Sequence, residues 1–152
     1  MRYFFFCMTF LGFLLPSIAM AQTKTEELLQ KAGSGKEGAY WVMGEFAACA
    51  GFYEGMGEIM MGVDNAKNRK RLEGVKEVAG SARHAAAYFW KPYSKSPMVE
   101  VKKITAEAKG NFLRVADEGF ERLREVVGVM KSGCSAIMPL QVDTWKKLGK
   151  PL

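Results

Sequence analysis

The chain has 152 residues and a formal net charge of +6, and 49% of its residues are hydrophobic. That length predicts one domain with enough apolar material to bury a core, and the mild positive charge by itself points to neither nucleic acid nor membrane. With no internal repeat, no low-complexity tract and no run that alternates like a strand, the fold class reads as all-α.

The first 21 residues read as a leader. Met1-Arg2-Tyr3 is a short cationic start, Phe4 to Ile18 is almost wholly apolar, and Ala19-Met20-Ala21 offers small residues for cleavage before Gln22. Pro16 near the end of the apolar run suits a cleaved signal. The competing reading is a retained N-terminal anchor, because Phe4 to Ala21 reaches the low edge of a membrane span. On the first reading the protein is exported, periplasmic or secreted, and loses Arg2 and Cys7 with its leader. Two cysteines then remain, Cys49 and Cys134. An even count in an oxidising compartment predicts that they form a disulfide, against the alternative of two buried free thiols.

Residues 22–38 read as a mobile lead-in with one short helical turn. Thr23 and Glu26 have capping-box spacing ahead of Leu28 and Leu29, and Gly33-Ser34-Gly35 ends the turn. The bundle domain is expected over 39–152. Ser34 stands three residues before Glu37, a second capping signature that would start the first long helix.

On that helix Val42, Phe46, Cys49, Tyr53, Met56, Met60 and Val63 alternate by four and three residues, a seam aimed at a core. A different face carries Gly44, Ala48, Gly51, Gly55 and Gly62. Glycine inside a helix costs about 1 kcal/mol against alanine, so this line needs a reason. It lets another backbone come close: a neighbouring helix of the same chain, or a second chain in a homo-oligomer or protein complex. The alanine stripe of the next helix is one such neighbour.

Asp64-Asn65 makes a turn into a second helix, from about Ala66 to Trp90, with Leu72, Val75, Ala79, Ala82, Ala86 and Phe89 as its apolar stripe. Lys91-Pro92-Tyr93 ends it. Ser96-Pro97 starts a third helix whose three-and-four spacing runs from Val101 through Phe112, Phe120 and Met130 to Cys134 and Ile137, until Pro139. Unbroken, that helix would be about 60 Å long. Cys134 would then lie far beyond the level of Cys49, so a break is expected near Gly110 or at Ser132-Gly133. The expectation is a bundle of three long helices, the third broken, with an ordered tail from Leu140 to Leu152 and one disulfide.

Catalytic and cofactor chemistry finds little purchase. His84 is the only histidine, and it lies five residues past Ala79, about 140° around the helix from the core stripe. That placement argues for a solvated side chain and against a haem ligand. There is no C-x-x-C-H, C-x-x-C, H-E-x-x-H or calcium-loop pattern, so no cofactor and no metal are expected. No serine or cysteine sits in a recognisable nucleophile context. Glu45, at the edge of the apolar seam, is either paired at the core margin, with Arg83 as a candidate partner, or a lone acid-base group.

The basic cluster Lys67, Arg69, Lys70 and Arg71 opposes the dipole at the start of its helix. Glu54, Glu58 and Asp64 crowd the end of the preceding one, so the two sets can compensate each other. The alternative is a site for anionic surfaces such as lipid headgroups or other polyanions. Tyr88, Phe89, Trp90 and Tyr93 crowd the end of the second helix, either as core or as an exposed patch for a partner. The functional expectation is an exported, non-catalytic binding or interaction module working through a helical face.

Overall fold

The computed structural model describes residues 15–61 and 66–148, with side chains over 23–61 and 69–148. Within them there are five α-helices and no strand: α1 Leu15–Gly33, α2 Lys36–Met61, α3 Ala66–Trp90, α4 Pro97–Asp117 and α5 Phe120–Lys147. A 3-10 turn, Lys91–Tyr93, joins α3 to α4. Successive helices run in alternating directions. All-α therefore holds, but the count is five where three were expected.

The extra helix at the front comes from the lead-in. α1 is not a single turn; it extends to Gly33 and buries Leu28 completely in the core. A fully buried leucine contributes about 1.5–3 kcal/mol, enough to dock a helix whose outer face is charged. Ser34 does not cap α2. Its backbone N–H and its hydroxyl both donate to the Lys31 carbonyl, closing α1, while Gly35 at φ 108° makes the reversal. Leader cleavage before Gln22 would fall inside α1 and leave the Leu28 anchor in place.

α2 is the centre of the bundle, with α3 and α4 as its most extensive neighbours. Of its seam, Val42, Phe46 and Cys49 are buried, Tyr53, Met56 and Met60 are only half-buried, and Val63 lies outside the described residues. Met43, Ala47, Ala50 and Phe52 join the core. Phe46 stacks on Phe89 of α3 at 5.8 Å, and Phe52 meets Phe112 of α4 edge-on at 5.2 Å.

The expected break exists, in another place. The helix passes unbroken through Gly110 and through Ser132-Gly133, and stops at Asp117 instead. Gly119 takes φ 119°, a conformation that side chains resist, and the chain turns back as α5. The three-and-four spacing hid this, because Phe120 continues it perfectly. In the fold Phe120 is 74% exposed and belongs to no core.

Pro139 does not end the last helix. It sits on the exposed side of α5, where the carbonyl that loses its donor belongs to exposed Ser135. The expected tail is thus the last part of α5. Leu140, Gln141 and Thr144 are buried there, and the Gln141 amide donates to the Ser81 hydroxyl at 2.6 Å and to the Val78 carbonyl at 3.2 Å on α3.

Reversal at Gly119 is what lets the sulfurs meet. Cys49 of α2 and Cys134 of α5 form a disulfide, with Cα atoms 5.6 Å apart and 85 residues between them in sequence. No helix among the described residues is long and apolar enough to cross a membrane.

Candidate functional site

The glycine line of α2 is filled by the chain itself over its central part. A Cβ built on Gly51 would lie 2.6 Å from the Thr105 carbonyl oxygen and 2.7 Å from the Lys109 nitrogen, both backbone atoms of α4. One built on Gly55 would lie 2.5 Å from the Phe112 ring. The occupant is α4, not the alanine stripe of α3, and this pair is not open to a second chain. Ala48 is half-buried beside the same helix, Gly44 has open space at its Cβ position, and Gly62 lies outside the described residues.

The charged residues also find partners other than those expected. Glu54 pairs with Arg83 of α3, and Glu58 pairs with Lys109 of α4. The two carboxylates are therefore engaged away from the basic start of α3. There Lys67 lies in the first turn, and Arg69, Lys70 and Arg71 are exposed. Because Arg83 goes to Glu54, it does not serve Glu45. Glu45 is half-buried at a 550 Å³ recess that Thr23, Lys24 and Glu27 of α1 and Ser132 of α5 also border.

His84 is not simply solvated. Its Nδ1 lies 2.9 Å from the Gly80 carbonyl, so Nδ1–H donates and Nε2 is the acceptor of the neutral ring. The ring stands edge-on to Trp145 of α5 at 4.9 Å. The sequence offered no sign of this, since it required α5 to continue past Pro139.

That continuation builds a cleft of 490 Å³ at one end of the bundle. The end of α3 supplies His84, Tyr88 and Phe89, the 3-10 turn supplies Pro92 and Tyr93, and the last turn of α5 closes it with Leu148. Tyr88 and Tyr93 are 39% and 40% exposed, while Trp90 behind them is buried. The aromatic cluster is thus both things the sequence allowed: core on one side and open surface on the other.

The turn that carries Pro92 and Tyr93 is pinned from below. Trp90 Nε1–H donates to Glu100 Oε2 at 2.5 Å, the Ser94 hydroxyl donates to Glu100 Oε1, and the Ser96 N–H donates to Ser94 Oγ at 3.1 Å. The hydrogen bond from Ser94, followed by that from Trp90, holds the Glu100 carboxyl below the usual carboxylate range. Tyr40 of α2 braces Trp90 edge-on at 5.3 Å. The cleft wall is therefore fixed before any ligand arrives, which lowers the ordering cost of binding.

Chemically the cleft offers aromatic faces, two phenol hydroxyls, one imidazole acceptor and the Lys91 ammonium. Among the described residues, no three His, Cys, Asp or Glu side chains converge as metal ligands would. Comparison with family models, with curated proteins and with solved structures returned no match.

Proposed function

We propose that this protein is an exported, disulfide-stapled helical module that binds without catalysing, and that the aromatic cleft at the end of the bundle receives a small, mainly apolar ligand. The observation that carries this reading is the cleft itself. Its 490 Å³ lies in the ordinary range for small-molecule sites, about 300–1,000 Å³, and its walls are aromatic with few polar groups. The leader pattern and the disulfide both suit an oxidising compartment.

The test is a titration of the oxidised protein with indole and benzyl alcohol, followed by amide and side-chain NMR shifts. Shifts confined to His84, Tyr93, Leu148 and their neighbours, and lost in Tyr93→Ala, support the cleft. Shifts scattered over the surface, or none, remove it. Non-reducing mass spectrometry of protein recovered from outside the cytoplasm should find a chain beginning at Gln22 with Cys49 and Cys134 joined. An intact leader or two free thiols there defeats the export reading.

A second reading draws on the exposure of Arg69, Lys70 and Arg71 while Glu54 and Glu58 are held by other cations. It makes the start of α3 a contact for anionic surfaces, with the membrane touched and not crossed. It expects salt-sensitive binding to phosphatidylglycerol vesicles over phosphatidylcholine ones, weakened when all three residues become glutamine. Equal binding to both vesicles excludes it.

A further inference from the structure

A second cleft, of 370 Å³, opens where α2, α3 and α4 meet, and its chemistry differs from that of the aromatic one. Its floor is apolar: Leu72, Val75 and Ala79 from α3, with Met61 at the end of α2. Gly57 shapes that floor by absence, because a Cβ there would come within 3.1 Å of the Leu72 side chain. The rim is charged, and unevenly.

Glu54 and Glu58 stand one turn apart on α2, where like charges repel. Each is taken by a cation from a different helix, Arg83 of α3 and Lys109 of α4. A third cation, Lys76, borders the same cleft and has no carboxylate partner among the described residues. It lies seven residues before Arg83, on the same face of α3, with Ala79 between them. The described rim thus holds three cations against two carboxylates, above an apolar trough. Tyr53 borders the cleft, half-buried, and burial pushes its phenol above the ordinary value, so it stays an O–H donor.

We infer that this cleft binds a single anionic amphiphile, with the charged head against Lys76 and Arg83 and the alkyl chain along Leu72, Val75 and Ala79. A cationic head would meet a net positive rim, and a bare anion would leave the apolar floor unused. The site needs neither the aromatic cleft nor Arg69, Lys70 and Arg71, so it stands or falls separately from both readings above.

Calorimetry of the oxidised protein below the micelle concentration of each probe tests it. Decanoate and decyl sulfate should bind saturably at one equivalent, while decyltrimethylammonium and inorganic phosphate should not. Lys76→Glu, an exposed change that leaves the two ion pairs intact, should weaken decanoate about tenfold. Arg69→Gln with Lys70→Gln and Arg71→Gln should leave it unchanged, which separates a bound amphiphile from vesicle attraction. Absence of saturable decanoate binding overturns the inference. So does equal binding of decyltrimethylammonium, binding of phosphate as tight as decanoate, loss of decanoate binding in the triple variant, or an unaltered affinity in a Lys76→Glu protein that circular dichroism shows to be folded.

Discussion

α2 holds two of its partners, α4 and α5, by opposite means. Against α4 it removes side chains: Gly51 and Gly55 let the backbone of Thr105–Lys109 and the ring of Phe112 come into direct contact. Against α5 it adds a covalent bond, Cys49 to Cys134, and every residue from Phe120 to Gly133 stays exposed or half-buried. A helix packed backbone to side chain along its length is held by many small contacts. A helix with few buried residues in its first half needs a fixed point. The first arrangement fails by steric intrusion, and the second by losing its tie.

The largest effect should come from cutting the tie. Cys49→Ser with Cys134→Ser is expected to cost about 4 kcal/mol in urea denaturation, given the long loop the bond closes. Amide exchange should rise far more in α5 than in α4. Equal loosening of both helices would erase the distinction.

Gly51→Ala attacks the other arrangement. The new methyl would strike backbone atoms of α4, which cannot swing aside as a flexible side chain can. Overpacking of about 3 kcal/mol, less about 1 kcal/mol regained in helix propensity, leaves a net loss of about 2 kcal/mol. A wild-type denaturation midpoint would show that α4 has room to move.

Gln141→Ala should cost about 1.5 kcal/mol in the same assay, since it removes the buried amide that bonds Ser81 and Val78. Its effect should concentrate at the α3–α5 contact and spare α4. The smallest change, and the only one of opposite sign, is expected at Gly44, where nothing lies within 4 Å of an added methyl. Gly44→Ala should stabilise the protein by about 0.7 kcal/mol, because helix propensity acts there without a steric cost. A destabilised Gly44→Ala protein would mean that this end of the glycine line is covered after all.

Much of the fold was legible along the chain because local rules governed it. The start of α4 follows Ser96-Pro97, and the burial of Val42, Phe46 and Cys49 on α2 follows their three-and-four spacing. The break between α4 and α5 was foreseen from the reach a disulfide requires, yet its position was not, since Phe120 kept the apolar rhythm while standing in solvent. Asp117-Glu118-Gly119 carried the missed signal: a glycine just past a helix end, in a conformation other residues resist. The pairing of Glu54 and Glu58 with Arg83 and Lys109 could not be read either, because it depends on which helices lie beside α2.

The order of residues alone settled that this protein is helical, that Cys49 and Cys134 are candidates for one bond, and that Val42, Phe46 and Cys49 of α2 face the core. Those follow from periodicity and counting, which need no knowledge of neighbours. Only the three-dimensional arrangement decided that α4 fills the glycine line, that His84 leans on Trp145, and that two clefts of different character open on the surface. The His84–Trp145 contact and the aromatic cleft depend on α5 running past Pro139, while the filled glycine line and the second cleft depend on α4 lying beside α2. In each case residues far apart along the chain are brought together.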